Sequence, residues 1–254
     1  STVQSSSADS DKYLNSIVEV AVGANHVLAR NSNGETFSWG LNDKGQLGLG
    51  DTTDRTAPEK MKAGATNPTN RTSSLTGATS IAAGDSHSLV VVGGTAYSCG
   101  GNRYGQLGDN TSSDTQIADL LIGVNGGVGG QTLLEGVDKI YGRANQSFAL
   151  MSEDGSIYSW GANDSGQLGR AIEDSGYYFT PGRVGNVEGG SSLTNAIDIA
   201  PGRYHTLILM DDNTVRVMGS NQYGQLGYAF NTGDLSRPII PYGVTGRNGV
   251  YGAV

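Results

Sequence analysis

The chain has 254 residues, 40 of them glycine, and only 16% are charged. Its formal net charge of −8, with neither a basic stripe nor a basic tail, argues against unaided binding to DNA or to an anionic membrane. A single cysteine, Cys99, excludes an internal disulfide, and no apolar run reaches the length of a membrane span or a signal-peptide core.

Residues 1–16, rich in Ser and Asp, read as a flexible polar leader. The first ordered element expected is Ile17 to Gly23, whose apolar residues suit a short buried strand. A tight connection at Ala24-Asn25 leads into a second strand from His26 to Ser32. Asn33-Gly34, lying between two apolar-rich runs, predicts a type I′ hairpin, which needs positive φ at both central residues. A third strand from Glu35 to Gly40 enters a glycine loop ending in Gly45-Gln46-Leu47-Gly48, and a short fourth strand is expected after Pro58.

The same order then recurs. Gly93-Gly94, Asp154-Gly155 and Asp212-Asn213 take the place of the hairpin pair, and the loop glutamine returns at Gln106, Gln167 and Gln225, every 58 to 61 residues. The expected repeats cover about 17–75, 76–136, 137–194 and 195–254. No longer segment shows the 3.6-residue period of an amphipathic helix, so the fold class is all-β. Four antiparallel strands in each repeat of this length describe a β-propeller blade better than a β-helix rung, which is shorter and parallel.

One run carries a family resemblance. Ile81-Ala82-Ala83-Gly84-Asp85-Ser86-His87-Ser88-Leu89, followed by a hairpin and by Gly100-Gly101-Asn102 and Gly105-Gln106-Leu107-Gly108, resembles the repeat of the regulator of chromosome condensation family. The pattern runs similarly from Val20 to Leu28 and from Ile199 to Leu207, so the resemblance covers nearly all the chain after about residue 17. It implies a β-propeller, typically of about seven four-stranded blades. The chain departs from that pattern in having longer repeats, only four of them, and Arg143 and Gln146 where glycine and histidine are expected. Thr245 to Val250 resembles Thr76 to Ile81, so a fifth repeat is expected to begin there, within a larger or oligomer-completed propeller.

His26, His87 and His205 share one repeat position. Spread over different blades they are too far apart to share a metal, so each is read as packing and hydrogen-bonding at a turn. Trp39, Cys99, Trp160 and Met218 alternate at another position, which suits a core site. The glycine loops lack the lysine and hydroxyl residue of a P-loop, and the acidic residues Asp43, Asp51, Asp54, Asp164 and Asp174 lack the alternation of a calcium loop. No catalytic residue, cofactor or metal site is expected.

Alternating strand direction places three insertions, Lys62 to Ser80, Gly123 to Asp138 and Gly182 to Asp198, on the rim that carries the hairpins. The glycine loops and their extensions occupy the other. Candidate interaction residues are Asn67, Asn70, Arg71, Asn125, Gln131 and Asn186 on the insertion rim, and Tyr177, Tyr178, Phe179, Tyr228 and Phe230 on the other. The expected function is a non-enzymatic module that binds a protein or glycan through rim loops, with self-association through the terminal blades as a further contact. Loops rich in Ser, Thr, Asn and Gly point to an extracellular or cell-surface place, with the cytoplasm left open. The resemblance implies two alternatives, guanine-nucleotide exchange on a small GTPase and inhibition of an enzyme; a self-assembling structural subunit is a third.

Overall fold

The computed structural model describes residues 13–62, 74–120, 133–170, 176–185, 192–227 and 235–239. Among them are sixteen β-strands and no helix. Blade 1 holds β1 (Ile17–Val22), β2 (His26–Asn31), β3 (Thr36–Gly40) and β4 (Arg55–Lys60). Blade 2 holds β5 (Ala78–Ala83), β6 (His87–Val92), β7 (Thr95–Gly100) and β8 (Thr115–Leu120). Blade 3 holds β9 (Val137–Arg143), β10 (Gln146–Met151), β11 (Ile157–Ala162) and β12 (Tyr177–Arg183). Blade 4 holds β13 (Ala196–Pro201), β14 (His205–Met210), β15 (Val215–Gly219) and β16 (Leu235–Ile239).

Each blade is one antiparallel sheet with its strands in chain order. The fourth strand of blade 1 starts before Pro58 and contains it, and β12 likewise contains Pro181. Both prolines sit on the outer edge of a sheet, where no further strand calls for the missing amide hydrogen.

The hairpins differ from the expected type I′ form. Only Gly93-Gly94 has positive φ at both central residues; elsewhere the left-handed residue is Gly34, Gly155 or Asn213 alone. Gly34 N donates to Asn31 O and Asn31 N to Glu35 O, the pattern of a type I turn followed by a single left-handed residue. The left-handed glycine also sits against the next blade. Ala78 N donates to Gly34 O at 2.9 Å and Ala196 N to Gly155 O at 3.0 Å, tying each hairpin to the strand that opens its neighbour.

The core lies between blades rather than within one. Leu28 and Met61 of blade 1 meet Ile81, Val90 and Cys99 of blade 2. Leu89 and Val91 of blade 2 meet Ile140, Ala149 and Trp160 of blade 3, and Phe148 and Leu150 of blade 3 meet Ile199, Ile208 and Met218 of blade 4. Alternation along the strands puts one apolar row on each face, so an inner blade buries both.

Blade 1 is the exception, and the buried strand expected at Ile17 to Gly23 is corrected. Val20 is 64% exposed, as are Val18 and Val22 to a similar extent, whereas Ile81, Ile140 and Ile199 at the position of Val20 are buried. Those isoleucines bury against the preceding blade, and among the described residues nothing precedes blade 1.

In the glycine loops, Gly45, Gly105, Gly166 and Gly224 all hold φ between 75° and 81°. A Cβ on Gly105 would also lie 2.8 Å from Phe179 Cα and Tyr178 O of the next blade, while one on Gly224 would meet nothing within 4 Å. Gly105→Val should therefore lower the urea midpoint by more than Gly224→Val. The common backbone strain costs roughly 1–3 kcal/mol and the clash adds to it only at Gly105. Equal losses at the two sites would show that close packing plays no part.

Candidate functional site

Each glycine loop is folded by two of its own side chains. Asn42 Oδ1 accepts from Leu47 N at 2.9 Å, and Asn102, Asn163 and Asn221 accept from Leu107, Leu168 and Leu226 in the same way. Gln46 Oε1 accepts from Lys44 N at 2.9 Å, with Gln106, Gln167 and Gln225 repeating the bond. These bonds, with that of Ser38 Oγ to Leu47 O, shape the loop and aim the glutamine's main-chain carbonyl at the following blade.

That carbonyl is where blades are joined. Ser88 Oγ donates to Gln46 O at 2.6 Å, Ser147 Oγ to Gln106 O at 2.8 Å and Thr206 Oγ1 to Gln167 O at 2.9 Å. Trp160 Nε1 donates to the same Gln106 O at 2.9 Å. A serine hydroxyl has one proton, and here the carbonyl takes it. The contacts of His26 Nε2 with Ser88 Oγ at 2.9 Å and of His87 Nε2 with Ser147 Oγ at 2.8 Å must then use the imidazole N–H as donor. Nδ1 of both rings is buried without a partner, as expected of the bare nitrogen of that tautomer. Burial holds His26 down to about 4 and His87 to about 3, so both are neutral at physiological pH.

The rings lie over Gly23 and Gly84, where a Cβ would overlap the imidazole. This explains why the third repeat departs at two positions together. Gln146 Nε2 donates to Gly202 O, and with no imidazole to accommodate, Arg143 occupies the glycine position. His205 of blade 4 is half-buried and has no partner among the described residues. His26 and His87 thus fasten neighbouring blades, as their repeat position suggests, and they do not converge on one site.

The other chemistry-bearing side chains are also committed to structure. Cys99 is buried against Gln46 O and burial pushes its thiol up to about 12, far from a reactive thiolate. Asp54 Oδ1 accepts from Asn42 N, while Asp51 accepts from Thr53 N and pairs with Arg55, which holds its carboxyl below the usual range. Among the described residues no cluster of His, Cys, Asp and Glu is arranged for a metal.

Two surfaces remain. Between the inner strands runs a channel of about 880 Å³, lined by Glu19, Arg30, Ser80, Lys139 and Tyr141 among others. Its polar side chains cap strand edges: Glu19 Oε1 accepts from Ile81 N, Ser80 Oγ accepts from Ile140 N, and Tyr141 OH donates to Asp198 at 2.6 Å.

The rim of the glycine loops is different. Its turns are hooked in series, Ala24 N to Asp85 O at 3.1 Å and Asp85 N to Ala144 O at 2.8 Å. On this rim stand Arg103 and Tyr104 of a glycine loop, Arg143 at the end of β9, and Arg203 and Tyr204 of the turn after β13, with each of Arg103 and Arg203 lying 5.7 Å from the neighbouring tyrosine ring. Arg203 is 3.7 Å from Asp85, and Arg143 has no ion-pair partner among the described residues. The hairpins carry Glu35, Glu153, Asp154, Asp211 and Asp212 to the opposite rim, while the glycine-loop rim holds Asp43, Asp51, Asp54, Asp85, Asp109 and Asp114 beside its arginines.

Of the residues expected to bind, Asn67, Asn70, Arg71, Asn125, Gln131, Asn186, Tyr228 and Phe230 lie outside the described residues. Tyr177, Tyr178 and Phe179 are not in a loop extension: they open β12, where Tyr177 pairs with Ala162 and Tyr178 with Gly161. A run of aromatics satisfies its backbone best in a ladder. Tyr178 is buried beneath the Arg170 guanidinium, 3.5 Å away, and Tyr177 meets Tyr104 edge-on at 5.1 Å. Sorting residues by loop length and aromatic content passed over Arg103, Arg143 and Arg203. Their signal was three arginines at turn and loop positions of one rim in an otherwise acidic chain.

Four-stranded antiparallel blades in series, joined glycine loop to hydroxyl, define a repeat protein of the β-propeller class. The chain belongs to the regulator of chromosome condensation (RCC1) repeat family, whose repeat profiles match residues 33–91 and 154–209 and, in a second form, 17–46 and 196–225. It is 32% identical to the ultraviolet-B receptor UVR8 of Arabidopsis thaliana over 89% of this chain and 46% of that protein. It is also 32% identical to the probable E3 ubiquitin-protein ligase HERC4 of Homo sapiens, over 91% of this chain and 20% of that one. The chain thus spans less than half the length of either relative. Among solved structures it resembles human WBSCR16, with a TM-score of 0.68 and 23% identity over 88% of this chain and 51% of that one. Prp20p of Saccharomyces cerevisiae, described with its binding to Gsp1p and histones, has a TM-score of 0.63 and 23% identity over 87% and 49%.

Two outcomes follow for the histidine joint. Each ring is neutral when folded and regains the ordinary value near 6.5 when unfolded, so its stabilisation is complete above about pH 6.5 and declines as pH falls towards 4 for His26 and 3 for His87. The urea midpoint should fall over that window, and less steeply in His87→Gln; an unchanged slope would remove His87 from the joint. Gly84→Ala should destabilise by roughly 1–3 kcal/mol, and His87→Gln in the same chain should recover part of the loss. Strict additivity in that cycle would refute the steric link.

Proposed function

We propose that the chain is a protein-binding propeller segment that takes up its partner on the glycine-loop rim, with carboxylate-rich protein surface as the preferred contact. The observation that carries this is the presentation of Arg103, Arg143 and Arg203 with Tyr104 and Tyr204 on one rim. Arg103 and Tyr104 stand on a glycine loop held by Asn102 and Gln106, Arg143 beside the turn that Asp85 N hooks, and Arg203 and Tyr204 on the turn that Gln146 Nε2 reaches. Arg and Tyr are the side chains that concentrate binding energy at interfaces, and rigid turns reduce the ordering cost on association. A guanidinium set favours protein carboxylates over a neutral glycan.

The relatives agree with an interaction role and supply no chemistry for this chain. Ligase activity belongs to HERC4 as a whole, of which the chain spans 20%. Prp20p is described as binding Gsp1p and histones, and likeness at 23% identity extends to the fold alone. Exchange on a small GTPase is the second reading, motivated by that neighbour; nucleotide release from a purified GTPase would reveal it. The extracellular or cell-surface placement expected from composition gains no support from these relatives, since ubiquitin ligation and histone binding are intracellular activities. No described helix is long and apolar enough to cross a membrane.

The test is affinity capture from an extract of the source organism with the wild type and with Arg103→Ala/Arg143→Ala/Arg203→Ala. A protein retained by the wild type should be lost at least tenfold in the triple variant, and its retention should weaken with added salt. Equal capture by both would place binding elsewhere.

A further inference from the structure

Each blade ends in an edge strand, and three of the four edges carry one device against pairing with a foreign strand. Ser38 pairs with Glu59, Ser159 with Gly182 and Val217 with Ile239, and the residue before each of those partners is a proline: Pro58, Pro181 and Pro238. In blade 2 Ser98 pairs with Asp119 in the same register, and the residue before it is Ala118.

The register shows what the exchange of proline for alanine does. Met61 N donates to Thr36 O, so Glu59 and Met61 turn their amide groups towards β3, while Pro58 and Lys60 turn theirs away from the sheet. Proline at the first of these outward positions removes a donor from the edge. Ala118 and Leu120 hold the outward positions of β8, and both carry an amide hydrogen. The first half of β8 is engaged, since Gly50 N of blade 1 donates to Gln116 O at 2.8 Å. Its second half has no strand beside it among the described residues.

Charge singles out the same edge. β4 carries Arg55 and Lys60, β12 Arg183 and β16 Arg237, whereas β8 has no cation. Between Arg103 and Lys139 the sequence holds no lysine or arginine, but it holds Asp109, Asp114, Asp119, Glu135 and Asp138. Prolines and lysines are what sheet edges use to refuse a further strand, and β8 has neither.

We propose that the outer edge of blade 2 takes up an extended basic segment of a partner protein as a fifth strand. Main-chain hydrogen bonds at Ala118 and Leu120 hold the segment, and lysine or arginine at the position across from Asp119 selects it. The carboxylates around β8 repel an acidic segment, and a ladder of amide bonds requires a polypeptide. The site is a strand edge outside the arginine set and prefers the opposite charge, so either reading can fail without the other.

A blocked peptide of alternating lysine and valine is the probe, read by amide hydrogen exchange of the chain and by fluorescence anisotropy of the labelled peptide. The Ala118 and Leu120 amides should exchange fast in the free chain and slow down when the peptide is added. Ala118→Pro gives β8 the residue of the other three edges. It should keep the β-sheet circular dichroism of the wild type and bind the peptide roughly tenfold more weakly. Asp119→Asn should weaken binding less and reduce its dependence on salt. Amides already slow in the free chain, exchange unchanged by the peptide, equal binding of a peptide with glutamate in place of lysine, or full binding by a folded Ala118→Pro would each overturn the proposal. Should that variant fail to fold, exchange in the wild type decides alone.

Discussion

One main-chain carbonyl governs this structure. A glycine loop must turn tightly at the end of the third strand of every blade, and in doing so it aims the carbonyl of Gln46, Gln106 or Gln167 away from its own sheet. A buried carbonyl needs a donor, and the next blade supplies one from Ser88, Ser147 or Thr206. The serine proton is thereby committed, which makes the histidine a donor, fixes its tautomer, and keeps it neutral where it is buried. The ring in turn clears a space that only glycine fills. Four features of the repeat, the loop, the hydroxyl, the histidine and the glycine before it, are consequences of one unsatisfied oxygen.

The rest of the fold follows from the same fastening. Because blades are joined face to face, apolar rows on both sides of each sheet are buried, and the core is distributed over three inter-blade seams. The turns of the glycine-loop rim are hooked to one another near the channel, so side chains on them stand at fixed spacing. Arg143 and Arg203 flank two such turns, in blades 3 and 4, and Arg103 stands on the glycine loop of blade 2.

Much of this was legible in the sequence. The period predicted four antiparallel four-stranded repeats, as found among the described residues, and the shared position of the three histidines pointed to architecture over chemistry. What escaped had physical causes. Asn33-Gly34 is compatible with two hairpin geometries, and the observed one is held by the Asn31 side-chain oxygen, which accepts from Asn33 N and Glu35 N. The apolar run at Ile17 to Gly23 reads as buried because its composition is that of an inner strand, but burial depends on a neighbour that lies outside the strand. Tyr177, Tyr178 and Phe179 read as loop because they follow a glycine loop, yet their pairing with β11 decides their state. Arg103, Arg143 and Arg203 belong to different blades, so their common rim shows only once the blades are set side by side.

The most direct test of the account is the ionisation and tautomer of His26 and His87, read from nitrogen-15 chemical shifts and long-range couplings of the imidazole rings. The hydroxyl-to-carbonyl joint predicts that both are neutral, protonated on Nε2, and remain so as the folded chain is taken down to about pH 5, well above their held-down values near 4 and 3. Rings protonated on Nδ1, or titrating near the ordinary value of 6.5, would contradict it.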